Sequence, residues 1–279
     1  MKFTKYNKLE AIELNDIQTS MPHEKNVLKY EENGKYGLID LKGNEIISAK
    51  YDSIEGLSNK EGELLVSENG KYGVINTKGA ELIKPEYDYI SGDGYYTQDK
   101  KYGLAGYILG EKTSDGYRYG YMNCKMKKLL DVEYNAIIRL GEIGSENTDK
   151  DIILIAMKNG QYGLIKNKKI IIDFRYQSID YTGVNNLFIV TRSSKSGVFN
   201  SAGKRIMAVK YDEIQKVEVQ LKVSKPQTAV NKEVTIAVKV PGNTYYAEKT
   251  TDTFEESIDG CVDALKIQLE KFKEKTHKK

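Results

Sequence analysis

A mainly β fold, an antiparallel hairpin repeat array followed by a small α+β unit, is predicted by three observations. One phrase recurs five times, turn dipeptides sit at fixed places inside it, and the C-terminal stretch changes to strict alternation followed by helical spacing. The phrase is Asn-Gly-Lys-Tyr-Gly-(Leu/Val)-Ile-(Asp/Asn), answered later by Tyr-Asp-x-Ile. The first copy runs from Asn33-Gly34-Lys35-Tyr36-Gly37 to Tyr51-Asp52 and Ile54, the second from Asn69 to Tyr87-Asp88 and Ile90. The third joins Tyr119-Gly120-Tyr121 to Tyr134-Asn135 and Ile137, the fourth Tyr162-Gly163 to Tyr176 and Ile179, the fifth Ser196-Gly197 to Tyr211-Asp212 and Ile214. The residue before the glycine precedes the later tyrosine by 15 positions in four copies and by 14 in the fourth, so insertions fall in the connectors between copies. Lys101-Tyr102-Gly103-Leu104 reads as a decayed or interrupted copy.

Each copy is expected to form three short strands. Val27-Leu28 and Leu64-Leu65-Val66 begin the first. Asn-Gly at 33-34, 69-70 and 159-160 is the hairpin dipeptide whose two residues both accept positive φ, and Tyr-Gly-Leu-Ile-Asp returns as the second strand. Lys-Gly at 42-43 and 78-79 makes the next turn, and Glu-Ile-Ile or Glu-Leu-Ile the third strand. The tyrosine of Tyr-Asp is placed to pack against a neighbouring copy, since one unit buries too little apolar surface alone. Asp40, Asp52, Asp88 and Asp212 recur with the repeat, which marks them as turn-stabilising acceptors and not as a catalytic pair.

From about Lys216 the pattern changes. Val217-Glu218-Val219-Gln220-Leu221-Lys222-Val223 and Val234-Thr235-Ile236-Ala237-Val238-Lys239-Val240 alternate as half-buried strands. Pro241-Gly242-Asn243 supplies a turn into a third strand over 244–249. Phe254, Ile258, Cys261, Val262, Leu265, Leu269 and Phe272 share one helical face, with Asp252 and Glu255 as a capping box. The last turns are basic: residues 266–279 hold six lysines and two glutamates. The domains therefore read as an N-terminal segment over 1–25, five β repeats over 26–214 and a β-β-β-α unit over 215–279.

Residues 26–214 resemble the WG-repeat family, whose units read Lys-Trp-Gly-(aliphatic)-Ile-Asp, then Gly, then an Ile-rich strand and Tyr-Asp. The tryptophan position holds Tyr36, Tyr72, Tyr119, Tyr162 and Ser196, and the chain has no Trp. Tyrosine keeps the aromatic packing where its hydroxyl finds water or a partner. The resemblance implies an interaction scaffold with a protein partner. Residues from about 211 to 279 resemble the ribosome hibernation promoting factors, also called ribosomal subunit interface proteins. Val217 through Pro226, Val240-Pro241-Gly242 and the helix from Asp252 to Lys275 carry that likeness. It implies contact with rRNA of the small ribosomal subunit through Lys222, Lys225, Lys266, Lys271, Lys273 and Lys275. The family's first strand and first helix have no counterpart before Tyr211. The incomplete sheet then needs a cover: the last repeat, the N-terminal segment Lys2 to Asp16, or a second copy of the chain in a homodimer.

Composition narrows the class. Forty-three Lys and Arg against 40 Asp and Glu give a net charge of +3, too small to imply nucleic acid by itself, and mean hydropathy is −0.55. No apolar run suits a leader or a membrane span, so a cytoplasmic protein is expected. Cys124 and Cys261 read as reduced structural thiols. Only His23 and His277 are available to a His-based triad or zinc site, and no phosphate-loop motif accompanies the Asn-Gly turns. The expectation is a non-enzymatic binding protein without cofactor or metal. Its first form is a ribosome-associated translation regulator, its alternative a protein-interaction scaffold whose C-terminal unit is only a structural cap, and an enzyme the third class.

Overall fold

The computed structural model describes residues 6, 8–14, 23–57, 61–96, 102–140, 152–183, 187–211, 214, 216–223, 230–240 and 243–276, excepting the side chains at 96, 102, 216 and from 270 onward. Two compact units result, one of residues 1–159 and 165–169, the other of 160–164 and 170–279.

Five four-stranded antiparallel sheets follow one another along the chain. The first holds β1 (Leu9–Glu10), β2 (Val27–Glu32), β3 (Lys35–Asp40) and β4 (Glu45–Tyr51). The second holds β5 (Ser53–Gly56), β6 (Glu63–Glu68), β7 (Lys71–Asn76) and β8 (Glu81–Tyr87), and the third β9 (Tyr89–Tyr96), β10 (Tyr102–Thr113), β11 (Gly116–Asn123) and β12 (Lys128–Tyr134). The fourth holds β13 (Ala136–Leu140), β14 (Ile153–Lys158), β15 (Gln161–Lys166) and β16 (Lys169–Tyr176), and the fifth β17 (Ser178–Tyr181), β18 (Leu187–Arg192), β19 (Lys195–Asn200) and β20 (Arg205–Tyr211). Then come a three-stranded sheet, β21 (Lys216–Val223), β22 (Lys232–Val240) and β23 (Asn243–Thr251), and one helix, α1 (Phe254–Thr276).

Three strands per copy become four, because the residues after Tyr-Asp open the next sheet: Ile54 lies on β5, Ile90 on β9, Ile137 on β13 and Ile179 on β17. Tyr-Asp is therefore the joint between sheets. Tyr51 pairs across the ladder with Tyr36 and is buried with Ile54, Leu64 and Val66 of the second sheet; Tyr87, opposite Tyr72, is buried with Ile90, Leu104, Tyr107 and Leu109 of the third. The text at Tyr102-Gly103-Leu104 is no decayed copy. It opens β10, the second strand of the third sheet, in the place that β6 takes in the second.

Side-chain acceptors hold the joints and the turns. Asn33, Gly34, Asn69, Gly70, Asn159 and Gly160 all take positive φ, as the two-residue hairpins require. Asp40 accepts from the N–H groups of Lys42 and Asn44 at 2.8 Å each, Asn76 from those of Lys78 (3.0 Å) and Ala80 (2.9 Å), and Asn200 from those of Ala202 (3.0 Å) and Lys204 (2.9 Å). Each is an Asx-type turn that makes the motif's last residue an acceptor by necessity. Asp88 accepts from Lys71 Nζ (2.7 Å) and from the N–H of Lys112 on the third sheet (2.8 Å). Asn135 accepts from the N–H of Asn159 (2.9 Å) in the same way. Asp52 pairs with Lys35 and receives the N–H groups of Asn69 and Gly70, contacts that hold its carboxyl below the usual range. Asp212 lies outside the described residues.

The glycine after the motif tyrosine is required by crowding and not by its φ. A Cβ at Gly37, Gly73, Gly120, Gly163 or Gly197 would stand 2.5, 2.6, 2.8, 3.0 or 2.8 Å from the carbonyl oxygen of Ile47, Ile83, Leu130, Ile172 or Met207. In the first, second, third and fifth sheets the ladder also shifts register opposite that glycine, which lets the following strand turn inward against a bare backbone.

Candidate nucleic-acid interface

In the second unit the β-β-β-α element forms as its periodicity requires. Val217, Val234, Ile236, Val238, Tyr245 and Ala247 lie on one face of the sheet and are buried with Cys261, Val262, Leu265 and Leu269 of α1. Leu187, Val198, Ile206, Met207 and Ile214 join the same core, so the last repeat supplies part of the cover the incomplete sheet needs. Cover thins along β21, where Leu221 and Val223 are each 46% exposed. Cys261 donates to the carbonyl of Val234 at 3.1 Å, and burial pushes its thiol up. Ser257, fully buried in the first turn of α1, donates to the carbonyl of Lys232 at 2.6 Å. The N-cap is Thr253, whose hydroxyl accepts from the N–H of Glu256 at 3.2 Å. That moves the cap one residue beyond Asp252 and its partner position from Glu255 to Glu256.

The six lysines are placed unequally. Lys222 is exposed on β21 opposite Glu233, with Nζ 3.5 Å from its carboxylate. Lys266 is half-buried on α1 and donates to Asp263 one turn earlier at 3.0 Å. Lys271, Lys273 and Lys275 lie on the last turns of α1, with their side chains outside the described residues, as is all of Lys225. The structure thus puts Lys222 on the sheet and the other four on the helix, and joins no two of them in a described contact.

A second basic cluster was invisible to the motif reading. Arg175, Arg192, Lys195 and Arg205 line a cleft of about 480 Å³ in the second unit together with Tyr176 and Phe199, with no carboxylate among its described lining residues. The sequence signal is faint: Arg192 and Lys195 flank a Ser-Ser turn, and Arg175 and Arg205 come from strands separated from them in the chain. A contrasting cleft of about 610 Å³ in the first unit mixes Glu10, Glu13 and Glu55 with His23 and Lys29. Its Glu10 pairs with Lys8 at 2.8 Å and with Lys29 at 3.3 Å.

Comparison with known proteins agrees with both sequence resemblances. Residues 36–72 and 72–95 match the family model of the WG containing repeat, and residues 191–277 match that of the Sigma 54 modulation protein / S30EA ribosomal protein family. The second match begins inside the fifth sheet, twenty residues before Tyr211, where the described chain is strand and not helix. A search of curated proteins found no sequence match. Among solved structures, the Dos1 propeller is similar at 11% identity and TM-score 0.30, covering 82% of this chain and 68% of that one. Hsv2p of Kluyveromyces lactis is similar at 10% identity and TM-score 0.29, covering 83% of each chain. Superpositions that loose establish no common fold.

Proposed function

We propose that the chain is a non-enzymatic, ribosome-associated binding protein of the cytoplasm, which regulates translation by contacting rRNA of the small subunit through its second unit while the repeats engage a protein partner. The observation that carries this reading is the match of residues 191–277 to a family described as ribosomal protein, on a β-β-β-α element whose helix ends in Lys266, Lys271, Lys273 and Lys275. Electrostatic contacts with phosphates are sequence-independent and weaken with salt, so the binding has a measurable signature. The test is co-sedimentation of the full chain with small ribosomal subunits at low and moderate salt, beside the variant Lys266→Gln, Lys271→Gln, Lys273→Gln, Lys275→Gln. The reading expects pelleting that weakens with salt and with neutralisation; equal pelleting of both proteins would remove the helix from the interface, and no pelleting of either would remove the ribosome.

The cap reading has one observation of its own. Core residues of the fifth sheet and of the β-β-β-α element form a single cluster, as the end of a stacked array needs. It predicts a chain that folds and ignores ribosomes, and that loses solubility when residues 215–279 are removed.

A further inference from the structure

We propose that two copies of the chain join edge to edge along β21, antiparallel about a two-fold axis at Gln220, so that their two three-stranded sheets become one. The inference stands apart from the ribosome reading and needs no nucleic acid.

β21 is an outer strand: it pairs with β22 on one side, and no described strand pairs with it on the other. An outer strand presents a row of backbone N–H and C=O groups that another strand can take up, and folded chains commonly guard it with a bulge, a proline or a short length. Here the ladder runs unbroken from Lys216 opposite Lys239 to Val223 opposite Lys232, with no register shift, and the strand holds no proline. Its apolar face is also incompletely covered. α1 packs against β22 and β23; Val217 is buried and Val219 partly so, while Leu221 and Val223 on the same face are exposed.

The order of residues selects the occupant. In an antiparallel pairing about Gln220, each residue meets the one equally far beyond it on the second copy. Glu218 then lies opposite Lys222 twice, once on each side of the axis, and on the other face Val219 meets Leu221 and Val217 meets Val223. Charged residues thus continue one face and apolar residues the other, as two sheets joined in register require. Opposite charges across a ladder stabilise it and like charges oppose it. Lys222 has Glu233 on its β22 side at 3.5 Å, so the second copy would set it between two carboxylates. Moving the axis by one residue loses both charge pairs, because Glu218 then meets Gln220 or runs past the end of the strand. A strand from an unrelated protein could use the same backbone edge, but it gains nothing from this symmetry. The contact is isologous and closes on itself, so it gives a dimer and not a fibre.

Sedimentation velocity of the full chain over a concentration series, without ribosomes, gives the dissociation constant of the dimer. Glu218→Lys opposes two pairs of like charges across the axis, and so does Lys222→Glu; each should weaken the dimer about ten- to a hundredfold. Combining Glu218→Lys with Lys222→Glu restores both pairs with their signs exchanged and should bring the constant back to within a few-fold of the parent. Both positions are exposed, so circular dichroism should stay that of the parent. A second measurement uses Gln220→Cys with Cys124→Ser, Cys261 being buried. Residues opposite each other in an antiparallel pair have Cα atoms about 4.5 to 5.5 Å apart, a span a disulfide bridges, so mild oxidation should give a covalent dimer. Thr244→Cys with Cys124→Ser, exposed on the far strand β23, should not. A chain that sediments as a monomer throughout, a dimer that both single charge variants leave unchanged, or a Gln220→Cys chain that cross-links no faster than Thr244→Cys would each overturn the proposal.

Discussion

Replacing Gly73 by alanine tests why the repeat needs its glycine. The new Cβ would stand 2.6 Å from the carbonyl oxygen of Ile83, 2.7 Å from the nitrogen of Pro85 and 2.9 Å from the carbonyl carbon of Lys84, where ordinary contact begins at 3.4 Å. All three atoms are backbone, so β8 must move by about 0.8 Å instead of a side chain rotating away. Overpacking of that kind costs roughly 1 to 3 kcal/mol, and a strand forced off its register reaches the upper end. Alanine also narrows the unfolded ensemble and so returns about 0.4 to 1 kcal/mol. The net expectation is a loss of about 1 to 2.5 kcal/mol, or roughly 0.5 to 1 M in urea midpoint for a slope of about 2 to 3 kcal/mol per molar. Gly70→Ala is the control, because nothing lies within 4 Å of its Cβ and only its φ of +76° is strained. Circular dichroism gives the midpoint, and hydrogen exchange at Lys71–Asn76 and Glu81–Tyr87 shows whether the opening is local. The reasoning fails if Gly73→Ala unfolds within 0.5 kcal/mol of the parent while β7 and β8 keep their protection.

Asn76→Ala removes the acceptor of two turn N–H bonds and should cost about 1 to 2 kcal/mol by urea unfolding, with Asn76→Asp, the residue found at Asp40, nearly neutral. Burial and the neighbouring Glu86 and Glu133 push the phenols of Tyr87 and Tyr134 up to about 12. A phenol raised above its unfolded value near about 10 stabilises the fold below that pH and loses its contribution as pH climbs toward 12. Melting temperature should therefore fall steeply across that window, and less steeply in Tyr134→Phe. At the acid end, the Lys112 N–H and Lys71 hold Asp88 below the usual carboxylate range, so its stabilisation is present above about 3.9 and disappears as pH falls below it. Asp88→Asn should flatten that acid limb in a pH series of melting curves. Ending the chain at Ile214 strips the cover from Leu187, Val198, Ile206 and Met207, and light scattering should show it aggregating where the full chain does not.

What could be read from the chain alone follows physical range. Asn33-Gly34 and Asn69-Gly70 were legible because positive φ is a property of those residues themselves. Asp40 as a turn acceptor was legible because its partners lie within four positions. The alternation from Val217 to Val223 and from Val234 to Val240 gave the sheet of the second unit, and the spacing of Cys261, Val262, Leu265 and Leu269 gave the covering face of α1. Strand β5, only Ser53–Gly56, is too short to show a period, so the four-stranded sheet looked three-stranded and the Tyr-Asp joint looked like an ending. The Asp88 contact to Lys112 depends on a connector whose length no repeat fixes. Asp252 reads as the cap because Glu255 follows it at capping-box spacing, whereas α1 opens at Phe254 and so takes Thr253 as its cap. Arg192, Lys195 and Arg205 belong to no motif in the sequence; pairing across two ladders sets them on one face beside Arg175.

The decisive measurement is cross-linking of the chain to small ribosomal subunits with identification of the attached peptides. A ribosome-bound second unit gives rRNA-linked peptides from residues 191–277, α1 among them, and none from 26–96. Cross-links confined to the first unit, or to ribosomal proteins without rRNA, would contradict it.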